Sequence, residues 1–300
     1  MDYHSLAQEI RAALPGLALA EEEPMAKHCS FHIGGPAAIL AEPESEETLS
    51  GLFRLLREKG EQPEVIGCGT NLLVRDEGIR AVVVRIGEGL AAVSADGETL
   101  TAGAGVRLSR LAVFARDRCL TGLEFSHGIP GSLGGGVVMN AGAYGGEMRD
   151  AVYSVRWMGL DGETHETADL DFGYRRSAFS GGDRIVLGAR LRLAFGDPAS
   201  IGARMEELAE RRKNSQPLTL PSAGSTFKRP TRGYAAALID MAGLKGLRVG
   251  GAMVSEKHAG FVVNAGGATC RDVLELMERI RAAVLEKCGV ELEPEVRLLG

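Results

Sequence analysis

A mixed α+β fold, in which strands and helices do not alternate regularly, is what this 300-residue sequence predicts. Three observations lead there. Short β-type runs dominate the middle of the chain. Two Asp-Gly pairs, at 96–97 and 161–162, mark hairpin turns between such runs. From Pro198 onward the apolar residues recur with helical spacing instead.

Taken in order, Leu6–Leu14 reads as a short amphipathic helix. Asp2, Glu9 and Arg11 deny the N-terminal stretch the basic start and apolar run of a signal peptide. Glu46–Lys59 is a second helix, because Ser45 can cap it, Glu46 and Glu47 suit its positive dipole end, and Gly60 stops it. PEVIGCG (63–69), AVVVRI (81–86), GLAAVSADGETLTAGAG (89–105) and AVYSVRWMGLDGETHE (151–166) read as strands, interrupted by a helix from about Leu108 to Arg118. Then come helices at IGARMEELAERRK (201–213) and YAAALIDMAG (234–243). The last helix has Thr269 as N-cap, Val273, Leu274, Met277, Ile280 and Val284 on one face, and Gly289 as terminator. EPEVRLLG (293–300) closes the sequence as a strand.

Composition narrows the function. Hydrophobic residues make up 45% and mean hydropathy is near zero, as for a chain with a full core. With 34 basic and 40 acidic residues the net charge is −6, so no positive field draws in nucleic acid. Five scattered cysteines with no CxxC pair argue against a disulfide framework or a thiolate zinc site, and a reducing cytoplasm suits them. The one long stretch lacking Asp, Glu, Lys and Arg, Phe125–Gly146, is broken by eight glycines and Pro130, so it is no membrane helix.

Glycine is the anomaly, at 41 residues, about twice the usual ~7%. Two glycine-rich segments stand out: GCGTNLLVRDEG (67–78) and HGIPGSLGGGVVMNAGAYGGEM (127–148). A diphosphate needs several main-chain N–H groups at close range, and glycine permits both the approach and the left-handed geometry that turns successive amides inward. Thr70, Asn71, Ser132 and Asn140 could add side-chain bonds. For the first segment alone a tight turn is the better reading; the two together favour an anionic cofactor. Neither is a GxGxxG opening a helix, and no GxxxxGK[ST] exists, which disfavours a Rossmann nicotinamide site and a P-loop. His28 and His32 in HCSFH lack the Glu of HExxH and run into Ile33–Pro36, so an extended, structural role is expected and no metal site. Ser132 and Ser225 miss the GxSxG elbow.

Seven segments in order complete the picture: SFHIGGPA (30–37), the two glycine-rich segments, GYRRSAF (173–179), PSAGSTFKRP (221–230), AGFVVNAGGAT (259–269) and EPEVRLLG. Together they resemble the UDP-N-acetylenolpyruvoylglucosamine reductases, flavoenzymes of peptidoglycan synthesis, over nearly the whole chain. The resemblance implies a vanillyl-alcohol-oxidase-like FAD-binding fold of two subdomains, 1–87 and 88–196. A C-terminal α+β substrate domain for the UDP-sugar, 197–300, follows, its last strand returning to the flavin site. FAD is bound non-covalently and NADPH is co-substrate. Because a flavin accepts a hydride and passes it on, NADPH and sugar nucleotide can use one pocket in turn.

The cofactor cradle is then Gly67, Cys68, Gly69, Thr70, Asn71 and Leu72 with Gly128, Ile129, Pro130, Gly131, Ser132, Gly135, Asn140, Ala141, Gly142, Ala143 and Tyr144. By the same resemblance Arg175 and Glu295 contact the substrate carboxylate and stabilise the intermediate, and Ser225 gives the proton to C2. Only 49 residues separate Arg175 from Ser225, too few for the folded insertion that brings a tyrosine over the sugar nucleotide in the longer family form. Lys213, Lys228 and Arg229 are therefore candidates for the diphosphate or uridine. A cytoplasmic monomer with no membrane or nucleic-acid partner is expected. The alternative is a flavin oxidoreductase of the same fold acting on another substrate, against which the set Arg175, Ser225 and Glu295 argues.

Overall fold

The computed structural model describes residues 1–300, and they divide into two compact units. The first comprises 1–22, 38–68 and 81–212; the second comprises 23–37, 69–80 and 213–300. These units cut across the ranges expected from sequence, because two short N-terminal stretches join the C-terminal residues.

In the first unit, helix α1 (Tyr3–Ala13) is capped by the Asp2 carboxylate, which accepts from the N–H groups of His4 and Ser5. Helix α2 (Glu46–Glu58) begins at Ser45, whose hydroxyl accepts from Thr48 N–H, as its sequence foretold. Leu49, Leu52, Phe53 and Leu56 recur at helical spacing and are fully buried, each stabilising the fold by roughly 1.5–3 kcal/mol. A four-stranded sheet takes the order Ala18–Pro24, Pro36–Glu42, Ile79–Arg85, Glu64–Ile66, the last two running parallel. A five-stranded antiparallel sheet is ordered Thr164–Thr167, Val152–Gly159, Arg184–Arg192, Thr99–Gly103, Val93–Asp96. Its two hairpins turn where the Asp-Gly signals stood, with Gly97 and Gly162 at φ of 54° and 82°. One apolar core extends from Leu6 to Met205 and takes in α3 (Leu108–Arg116), α4 (Leu133–Val138) and the start of α5 (Pro198–Ser215).

Helix α4 was not expected, since three consecutive glycines disfavour a helix. Packing explains it. A Cβ on Gly134 would lie 2.9 Å from the Ala104 Cβ, and one on Gly136 3.3 Å from Leu108 Cδ1, so this helix lies closer to its neighbours than any side chain allows.

In the second unit, α6 (Ala235–Met241) and α7 (Cys270–Cys288) accompany a three-stranded antiparallel sheet of Arg248–Val249, Ala252–Val254 and Val262–Asn264. Thr269 and Asp272 form a capping box at the start of α7, and Gly289 ends it at φ 65°. The Asp76 carboxylate accepts two further N–H groups there, Cys270 at 2.8 Å and Arg271 at 3.1 Å. The buried face of α7 uses Leu276 where Leu274 was expected; Leu274 is only half-buried. Residues 28–32 form bends and turns and are not extended, with His32 at φ 55° and His28 Nε2 paired to Glu23 at 3.0 Å. Strand Arg297–Leu299 runs parallel to Leu72–Val74. No helix is long and apolar enough to cross a membrane.

Candidate active site

In the first unit Gly67, at the start of the first glycine-rich segment, meets Ser132 of the second. A Cβ on Gly67 would sit 2.7 Å from the Ser132 hydroxyl, so only glycine lets the main chain approach there. Ser132 is 2% exposed and N-caps α4 without a side-chain capping bond. Gly131 before it has φ 138°, open to glycine alone. Residues 67–72 and 128–144 contain no charged side chain, and main-chain amides with Ser, Thr, Asn, Tyr144 and the Cys68 thiol make up their polar groups. Such a donor set, at a glycine-enforced close approach, suits the diphosphate of FAD.

The cradle residues do not all face one way. Gly67 and Cys68 belong to the first unit, and Gly69–Leu72 to the second. Gly69 (φ 65°) passes the His28 carbonyl so closely that a Cβ would be 2.1 Å from its oxygen. Leu72 is buried in its strand and Ala141 in the core. Gly142–Ala143 pairs with Gly146–Glu147, placing Tyr144 at the tip with φ 54°. Arg212, near the end of α5, lies against this segment at both ends, 2.9 Å from a Cβ built on Gly128 and with its guanidinium 5.9 Å from the Tyr144 ring.

Arg175 occupies a tight turn of the first unit. Gly173 and Arg176 bridge each other, Gly173 N–H to Arg176 O at 3.0 Å and the reverse at 3.4 Å, leaving Tyr174 and Arg175 at the tip. Arg175 has φ 56°, a conformation that non-glycine residues rarely keep and that clusters at working sites. Its guanidinium lies 5.5 Å from the Tyr174 ring centre.

Ser225 and Glu295 are brought together in the second unit. Glu295 N–H donates to the Thr226 carbonyl at 2.9 Å, Lys228 N–H donates to the Glu293 carbonyl at 2.8 Å, and Phe227 bridges Pro294. Thr226 is 2% exposed; its N–H reaches Gly260 O and its hydroxyl accepts from Val262 N–H, both at 2.9 Å. Ser225 is thus seated between Gly224, at φ 78°, and an immobile threonine. Asn71 Nδ2 donates to the Glu295 carbonyl at 3.1 Å, and Arg297 N–H returns to the Asn71 carbonyl at 2.9 Å.

Among the candidate diphosphate cations, Lys228 pairs with the Glu293 carboxylate, Arg229 lies 4.2 Å from the Tyr234 ring centre, and the Lys213 carbonyl accepts from the Lys257 ammonium. Sequence reading missed Tyr234, which is 60% exposed, and Glu147, the one acid closing the second glycine segment.

Comparison with known proteins identifies the family. Residues 37–168 match the family described as "FAD binding domain", and residues 216–299 match "UDP-N-acetylenolpyruvoylglucosamine reductase, C-terminal domain". The UDP-N-acetylenolpyruvoylglucosamine reductase of Syntrophomonas wolfei is 46% identical over 97% of this chain and 98% of its own. That of Clostridioides difficile is 47% identical over 93% of this chain and 92% of its own. The crystal structure of the Thermus caldophilus UDP-N-acetylenolpyruvylglucosamine reductase superposes with a TM-score of 0.81 at 38% identity, covering 95% of this chain and 99% of that one. The chain therefore has an FAD-binding domain followed by an α+β C-terminal domain, and belongs to the UDP-N-acetylenolpyruvoylglucosamine reductase family.

Proposed function

We propose that Arg175, Ser225 and Glu295 carry the family's reaction in this chain, and that the main-chain amides of 67–71 and 131–132 hold the FAD diphosphate. The reaction reduces the enolpyruvyl ether of UDP-N-acetylglucosamine to the lactyl ether of UDP-N-acetylmuramate, with NADPH as hydride source. Bound FAD supplies the carrier that takes the hydride from one substrate and gives it to the other. Everything else falls to side chains.

As C3 of the enolpyruvyl group gains hydride, electron density moves to C2 and the adjoining carboxylate. A guanidinium held in one orientation opposes that charge where it develops, the role of Arg175. The Ser225 hydroxyl delivers the proton that C2 then requires, and is reprotonated from solvent. Serine is a weak acid, but C2 has become a strong base, so position matters more than a pKa near neutrality. Glu295, fixed by its main chain to Thr226, lies close in structure to Ser225 and, carrying its carboxyl proton, donates a hydrogen bond to the substrate carboxylate.

The observation that carries the reading is that clasp: Glu295 N–H on Thr226 O brings into one place two residues 70 positions apart that the family resemblance assigns to one reaction. Ser225→Ala tests it. Flavin bleaching by NADPH should stay near normal, while its return with the enolpyruvyl sugar slows by roughly 10²–10⁴-fold. Equal loss in both halves would overturn the proton-donor role.

Lys213, Lys228 and Arg229 are assigned to the UDP moiety; an unchanged sugar-nucleotide KM in their triple alanine variant would remove that assignment. We also infer a cytoplasmic monomer, in keeping with five free cysteines. Light scattering that gave twice the chain mass of 31.7 kDa would refute the monomer.

A further inference from the structure

Asn140 sits in the second glycine-rich segment, where a flavin contact is expected, yet the protein occupies its side chain. It is 2% exposed, and its φ of 41° is left-handed. Its Nδ2 donates to Glu147 Oε2 at 2.8 Å and to the Gly173 carbonyl at 3.1 Å, while its Oδ1 accepts from Arg149 N–H at 3.0 Å. The orientation of the amide is unambiguous, because a carboxylate and a carbonyl face the nitrogen and an N–H faces the oxygen. Both of its N–H donors are committed within the protein.

What Asn140 grips is the base of the Arg175 turn. Gly173 and Arg176 close that turn, and Arg176 is held from outside by Asp171 at 2.5 Å. The Ser177 and Ser180 hydroxyls, just beyond it, both donate to the Val138 carbonyl, at 3.0 and 3.1 Å. So one side chain fastens the near edge of the loop and two fasten the far edge. A left-handed arginine persists only where its surroundings over-determine it.

We propose that Asn140, steadied by Glu147, is the positioning residue that aims Arg175, rather than a flavin ligand. It rests on the role given to Arg175 above. Asn140→Gly removes the amide while keeping the left-handed backbone accessible. Glu147→Gln, which still offers an oxygen to Asn140, is a gentler second variant.

In the holoenzyme, Asn140→Gly should retain one FAD per chain, and its apoprotein should rebind FAD with a dissociation constant within about 3-fold of the parent. Reduction by NADPH should also change by less than about 3-fold, whereas reoxidation by the enolpyruvyl sugar slows roughly 10- to 100-fold, as a displaced catalytic group does. Glu147→Gln should show the same pattern with a smaller loss. In an Arg175→Ala background, Asn140→Gly should slow reoxidation no further, since it acts through that arginine.

Loss of FAD affinity by 10-fold or more, in step with reduction, would make Asn140 a cofactor ligand and overturn the proposal. Losses that multiply in the double variant would overturn it too, as general destabilisation. If Arg175→Ala alone left reoxidation intact, the role of Arg175 would fall as well, which separates the two failures.

Discussion

Arg175 and the pair Ser225 and Glu295 are held by different means. Side chains fasten the loop of Arg175: Asn140 on Gly173, Ser177 and Ser180 on Val138. Main-chain bonds chiefly fasten the other two, Glu295 to Thr226, Lys228 to Glu293 and Thr226 to Gly260, with side chains adding the Thr226 hydroxyl, the Asn71 amide on the Glu295 carbonyl and the Lys228–Glu293 pair. A main-chain bond survives most substitutions, since every residue but proline carries the same donor and acceptor. A side-chain bond is lost with its residue. The arginine is therefore the part of this site that single substitutions can misplace without unfolding anything, and the Ser225 clasp is the part that fails by unfolding.

The sharpest way to break that contrast is Thr226→Val. It strands the buried Val262 N–H, and urea unfolding should show a loss of about 1–3 kcal/mol. A parent-like midpoint would mean that the clasp does not depend on the Thr226 hydroxyl. Ser177→Ala should cost less stability, about 1 kcal/mol: Phe179 N–H loses its acceptor, but the Val138 carbonyl keeps the Ser180 hydroxyl. Yet it should slow reoxidation more than Thr226→Val does in the protein that remains folded; the reverse order would erase the distinction.

The smallest effect concerns pH. Burial, with Asp76 adding to it, pushes the Cys270 thiol up to about 11. The folded protein thus keeps a proton that the unfolded chain releases nearer 9, so this stabilisation is whole below about 9 and is lost as pH rises towards 11. By pH 9.5 the loss is about 0.8 kcal/mol. Cys270→Ala should flatten the fall in stability between pH 8 and 10, and equal slopes in the two proteins would dismiss the thiol as the cause.

Local signals were legible wherever chemistry is local. Ser45, Thr269, Gly60 and Gly289 mark helix ends through bonds made within a few residues, and Asp-Gly turns give away their hairpins. Helix α4 was hidden because its stability comes from glycines meeting Ala104 and Leu108 across the fold, not from propensity. Leu276 displaced Leu274 on α7 for a related reason: both fit the helical stripe, and only the packing partner chooses. At the candidate site, the motifs single out Arg175, Ser225 and Glu295, but not what holds them. Asn140 reads as a polar residue in a glycine loop, and nothing in the spacing of 140, 147 and 173 announces that they meet.

The second unit draws on three stretches of sequence, 23–37, 69–80 and 213–300. Leu72–Val74 pairs with Arg297–Leu299, and Leu73 and Val74 end up almost wholly buried. At a translation rate of about 5–20 residues per second, those 225 intervening positions keep the apolar strand waiting about 11–45 s for its partner. During that interval the nascent chain carries an unpaired strand edge, the kind of surface that chaperones bind and that seeds aggregation. Sheltering Leu72–Val74 before residue 297 exists is accordingly a demand that this topology places on synthesis.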